Sequence, residues 1–130
     1  MTASTMVNDA PISLPGKGAN GSVWTPKNSD GRYSGYITLR QALTASKNMV
    51  SIRILMSIGV GYAQQYIQRF GFKPSELPAS LSMALGTGET TPLKIAEAYS
   101  VFANGGYRVS SHVIDKIYDS DGRLRAQMQP

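Results

Sequence analysis

Apolar and polar positions alternate differently in three stretches of this chain. Residues 8 to 36 have no period. Pro11, Pro15, Gly16, Gly18, Gly21, Pro26, Asn28, Asp30, Gly31 and Gly35 interrupt them too often for a long helix. Single apolar anchors stand between the breakers: Ile12, Leu14, Val23, Trp24, Tyr33 and Tyr36. The pattern predicts an irregular or hairpin-like arm over residues 1–36, pinned to the core by its aromatics. An arm of this length in a compact domain tends to be functional or to cover another part of the protein.

Helical spacing begins after Thr38, which suits an N-cap for a helix over 39–45. Residues 49–58 are apolar nearly all round: Met49, Val50, Ile52, Ile54, Leu55, Met56 and Ile58. They predict a helix buried on most sides, with Asn48 as a candidate cap and Gly59 as its stop. Its one charge, Arg53, needs a partner or a route to water. Tyr62, Tyr66, Ile67 and Phe70 share one face of a third helix, 62–70, which ends at Gly71. Residues 74–85 carry no strong pattern. Thr91 and Pro92 open a further helix, with Leu93, Ile95, Ala96, Tyr99 and Phe102 at helical spacing and Asn104-Gly105-Gly106 at its end. Alternation over 112–118 and 123–127, about the turn Asp119-Ser120-Asp121-Gly122, predicts two strands. The expected fold class is mainly α with a C-terminal β-hairpin: an arm (1–36), a helical part (37–109) and the hairpin (110–130).

Composition narrows the function classes. A length of 130 residues allows one domain at most, and 42% hydrophobic residues can build a core. Without cysteine there is no disulfide framework, thiolate nucleophile or cysteine zinc site. The net charge of +5 is spread over lysines and arginines of which no two are adjacent. With no zinc-finger spacing or RNA-recognition motif, this reads as a mildly cationic surface, not a nucleic-acid interface. No stretch approaches the roughly 20 apolar residues of a membrane span. The N-terminus lacks a signal-peptide pattern, so another segment would have to carry the chain out of the cytoplasm. No metal or cofactor motif is present: Asp119, Asp121 and Gly122 lack the bidentate glutamate of a calcium loop. The single histidine, His112, and Asp115 are expected on opposite faces of a strand, which argues against a triad.

The candidate chemistry lies in Ser46-Lys47-Asn48, between two helices. A bland reading has Asn48 cap a helix and Ser46 fill a turn. A functional reading has the Ser46 hydroxyl relay a proton between a base and a leaving amine. The Asn48 carboxamide, both donor and acceptor, would then hold a peptide bond of a substrate.

Several blocks around the tripeptide carry a resemblance. They are Trp24-Thr25-Pro26-Lys27-Asn28, the run from Tyr33 through Leu43, Ser46-Lys47-Asn48, Ala84 through Leu93, and Ala98 through Tyr107. In order and spacing this chain resembles the transpeptidase domain of class A (bifunctional) penicillin-binding proteins, 1A group. The resemblance implies part of a β-lactamase/transpeptidase-like (penicilloyl-serine transferase) fold. It implies a parent D,D-transpeptidase that cross-links peptidoglycan stem peptides through an acyl-serine and binds β-lactams. Its place would be the periplasmic face of the inner membrane, in cell-wall biogenesis, cell shape and antibiotic resistance. Ser46 would be the relay hydroxyl and Asn48 both a catalytic and a substrate-binding residue. Lys47 would be the variable middle residue, pointing away, where alanine changes little.

The departures are as informative. No serine is followed three residues later by lysine, and there is no Lys-Thr-Gly. Gly86-Thr87-Gly88 reads as a structural loop. The expectation is an internal piece that supplies the Ser-x-Asn wall, lacks the nucleophile and is inert by itself. Its partners would be the missing segments of the same domain, with the 49–58 helix the worst placed without them. The alternative is a stand-alone, non-catalytic module binding peptidoglycan or a partner protein.

Overall fold

The computed structural model describes residues 1–129; Pro130, the last residue of the expected hairpin segment, lies outside them. Its elements run β1 (Met6–Asp9), β2 (Gly35–Thr38), α1 (Leu39–Thr44), α2 (Asn48–Ile58), α3 (Val60–Ile67), α4 (Pro92–Ala103), β3 (Lys116–Tyr118) and β4 (Leu124–Gln127). Tight 3-10 turns fill Gln68–Phe70, Pro74–Glu76 and Leu81–Leu85. This is the expected fold class, mainly helical with a C-terminal hairpin.

One element was not anticipated. β1 pairs antiparallel with β2, in the register Met6 to Thr38 and Asp9 to Gly35. Neither segment alternates strongly, so periodicity did not reveal them. The arm is the excursion between these strands, and Leu14 and Trp24 exchange backbone hydrogen bonds across it at 2.9 Å.

Each helix follows from local chemistry. Thr38 and Gln41 form a reciprocal capping box at the start of α1: the Thr38 hydroxyl accepts from Gln41 N, and the Gln41 side chain accepts from Thr38 N. Gly59, at φ 90°, ends α2 and turns the chain straight into α3. At α4 the Thr91 hydroxyl accepts from Lys94 N, with Pro92 in the first helical position. Gly88 shows why the 86–88 loop needs glycine. A Cβ there would stand 2.8 Å from the Glu76 carbonyl oxygen, which accepts from Glu89 N.

The core gathers on α2. Met49 and Ile52 are fully buried, Ile12 is buried beside them, and Leu14, Trp24 and Ala84 pack around the three. Val50 and Leu55 are buried too, whereas Met56 and Ile58 reach the surface, so α2 is covered on one side more than all round. It packs against β1, α3 and the Leu81–Leu85 turn. Arg53 finds its route inward: its guanidinium donates to the carbonyls of Asn8, Ala10 and Pro11. That ties the arm to α2 by charge-assisted bonds.

Candidate active site

Ser46, Lys47 and Asn48 link α1 to α2, and the backbone there has a definite form. Lys47 N donates to the Ala42 carbonyl at 2.9 Å and Ser46 N to the Leu43 carbonyl at 3.1 Å. These two bonds make a Schellman closure, which requires a left-handed residue just past the helix end. Glycine usually fills that place; here it is Ser46, at φ +54°. A side chain there costs about 1–2 kcal/mol, so something other than backbone economy favours serine. Its hydroxyl is exposed and has no hydrogen-bond partner among the described residues.

Asn48 is the first residue of α2, half-buried, and its side chain does not cap the helix. The carboxamide turns to the arm, where Nδ2 donates to the Lys27 carbonyl at 3.0 Å. Oδ1 has no partner among the described residues and is left to accept. The cap comes from Asn28, whose Oδ1 accepts from Met49 N at 3.0 Å. Capping by Asn48 is thus replaced by capping across the fold. The arm already presents a buried carboxamide there, and Met49 N is one of the donors a helix start leaves orphaned.

Asn28 belongs to a buried polar network that no sequence pattern announced. Its Nδ2 donates to Asp9 Oδ1 and to the Arg32 carbonyl, both at 2.7 Å. Asp9 is fully buried, and its Oδ2 accepts from Ser34 N at 2.8 Å. Lys47 completes the set. Its ammonium lies 2.9 Å from Asp30 Oδ2, 3.3 Å from the Arg32 carbonyl and 3.5 Å from Asp9 Oδ2. Lys47 therefore does point away from the surface that Ser46 occupies, but it is not a neutral position. Only 5% of it is exposed, and removing its charge would leave a buried carboxylate without its cation.

The electrostatics agree with the contacts. Burial raises the Asp9 pKa, but the Asn28 amide, the Ser34 N–H and the Lys47 ammonium outweigh it, and the carboxyl sits below its ordinary value. Asp30 is lowered chiefly by its bond from Lys47. Lys47 is raised, first by Asp30. All three groups are charged together at neutral pH.

Beside the Lys27 anchor is a hollow of about 250 Å³, lined by Pro11, Ile12, Thr25, Pro26, Lys27 and Tyr33. Larger hollows, of about 290, 370 and 440 Å³, involve neither Ser46 nor Asn48.

His112 and Asp115 differ from expectation. β3 begins only at Lys116, so both lie before the strand, and His112 Nε2 comes within 3.5 Å of Asp115 Oδ1. The pair is solvent-facing, and no serine hydroxyl is hydrogen-bonded to the imidazole among the described residues. Among those residues no helix is long and apolar enough to cross a membrane.

Comparison with known proteins bears on this arrangement. Residues 2–130 match the family described as Penicillin binding protein transpeptidase domain. The chain is 98% identical over its whole length to Penicillin-binding protein 1A of Neisseria cinerea, covering 16% of that protein. It is 49% identical over 129 residues to Penicillin-binding protein 1A of Pseudomonas aeruginosa, again 16% of the relative. The crystal structure of Penicillin-Binding Protein 1A from Haemophilus influenzae superposes with a TM-score of 0.89 at 39% identity, over 98% of this chain and 19% of that one. The chain thus spans about a sixth of the curated relatives' length. By the family match, and by identity with the class A 1A group, the chain belongs to the penicillin-binding protein transpeptidase family.

Proposed function

We propose that this chain supplies the Ser-x-Asn wall of a D,D-transpeptidase site, acting on peptidoglycan stem peptides and acylated by β-lactams at the periplasmic face of the inner membrane. The observation that carries the reading is Ser46. It is held in a left-handed conformation, one residue from an inward-facing lysine and two from a carboxamide, and among the described residues neither its hydroxyl nor the Asn48 acceptor has a partner. A helix end built for stability alone would use glycine there.

The residues' chemistry defines their roles. The nucleophilic serine, from a Ser-x-x-Lys motif elsewhere in the polypeptide, attacks the carbonyl of the D-Ala–D-Ala bond. An acyl–oxygen bond forms, the C–N bond breaks, and D-alanine leaves. The departing nitrogen needs a proton. Ser46 gives it one and regains one from the base that took the nucleophile's, so its hydroxyl is unchanged over the step. Asn48 Oδ1 accepts from a substrate N–H, while its Nδ2 stays on the Lys27 carbonyl and fixes the carboxamide plane. An amine from a second stem peptide then resolves the acyl-enzyme, closing the cross-link.

The test uses the full-length protein that carries this segment. Ser46→Ala and Asn48→Ala should each slow acylation by a fluorescent penicillin about 10²–10³-fold. Parental acylation by both variants would leave the turn as a structural link and favour a non-catalytic module binding peptidoglycan or a partner.

A further inference from the structure

We propose that Lys47 is a positioning residue for acyl transfer: its buried ammonium, held by Asp9, Asp30 and the Arg32 carbonyl, sets the orientation of Ser46 and Asn48 on either side of it. The inference rests on the reading of Ser46 and Asn48 given above.

A serine at φ +54° persists only where its surroundings over-determine the backbone. The two closing hydrogen bonds of the helix end supply part of that. The rest comes from the next residue, Lys47, which is buried and bonded to its surroundings. Its side chain runs inward and its three ammonium protons face three oxygen-bearing groups, from Asp30, Arg32 and Asp9. The same network reaches the other side of the turn. Asn28 bonds to Asp9, caps α2 through Met49 N, and adjoins Lys27, whose carbonyl anchors Asn48. The relay hydroxyl and the substrate carboxamide thus hang on one frame, and Lys47 is the cation that pairs with both of its carboxylates. Because Asp9 ends β1 and Asp30 lies in the arm, the frame also couples both to the site.

Lys47→Met keeps the apolar stem and removes the charge. In the full-length protein, at a temperature where the variant is folded, acylation by fluorescent penicillin should fall about 10–100-fold, the scale of a small misplacement of reacting groups. The decisive comparison repeats the substitution in Ser46→Ala and in Asn48→Ala backgrounds. If Lys47 acts through Ser46 and Asn48, the further loss should be smaller in each background than in the parent. Asp30→Asn, which removes only the more exposed partner, should slow acylation in the same direction by a smaller factor. If Lys47→Met does not fold, Asp30→Asn in the two backgrounds makes the same decision. Parental acylation by a folded Lys47→Met, or the same fold-loss in the parent and in both backgrounds, would reduce Lys47 to a stabilising residue and overturn the inference. If Ser46→Ala alone acylates at the parental rate, the site reading has failed and this inference with it. If Ser46→Ala is slow and Lys47→Met is not, only the inference falls.

Discussion

Ser46 stands where helix ends usually carry glycine, so one substitution separates stability from chemistry. Ser46→Gly removes the strain of a side chain in the left-handed region and should raise stability by about 1 kcal/mol. It also deletes the hydroxyl and should slow acylation of the full-length protein as far as Ser46→Ala does. Paired urea melts and acylation rates test this; a destabilised, fully active Ser46→Gly would contradict it. The helix cap expected of Asn48 belongs to Asn28. Asn28→Ala removes a helix cap and leaves Asp9 short of a donor, so it should cost about 2–4 kcal/mol. Asn48→Ala should change the melt little, because Asn48 does not cap.

At the scale of elements, the buried charges make the junction of the arm and α2 sensitive to pH. Asp9 and Asp30 are lowered from 3.8 in the folded chain, so their contribution is present above that value and lost as pH falls through their folded values. Lys47 is raised above 10.5, so its contribution is complete below that pH and lost as pH rises through its folded value. Denaturant melts should therefore be flat near neutrality and fall at both extremes. Asp9→Asn should flatten the acid limb; an unchanged limb would remove Asp9 as its cause. The 86–88 loop gives a second element-scale expectation. Gly88→Ala forces a Cβ against the Glu76 carbonyl and should cost about 1–3 kcal/mol, read as a lower melting midpoint.

Across the whole molecule, apolar surface lies open on α3 and α4 more than on α2. Tyr62, Tyr66, Phe70, Phe102 and Tyr99 form a run of aromatic contacts, yet Tyr99 is 70% and Phe102 74% exposed. The expectation that the 49–58 helix would be worst placed is corrected: arm, β1 and the Leu81–Leu85 turn already cover it. Exposed faces of this extent favour association. The 130-residue chain alone should bind an apolar dye and sediment above its monomer mass; a compact monomer with a sharp two-state melt would argue for an autonomous domain. It should also gain no mass after incubation with penicillin, since no serine here has the Ser-x-x-Lys setting. A stoichiometric adduct in an intact-mass spectrum would refute that.

The four helices, their caps at Thr38 and Thr91, the stop at Gly59 and the Asp119–Gly122 turn were legible from residue order, because each depends on bonds within a few positions. So was the candidate tripeptide. The β1–β2 ladder, the capping of α2 by Asn28, and the Asp9–Lys47–Asp30 cluster were not. Asp9 meets Asn28 across nineteen residues, and Met49 N meets it across twenty-one. No local period marks such partners. A lysine between serine and asparagine looks like any solvated charge until the fold buries it. Residue order determined which groups could do chemistry; long-range packing alone decided how the turn that carries them is held.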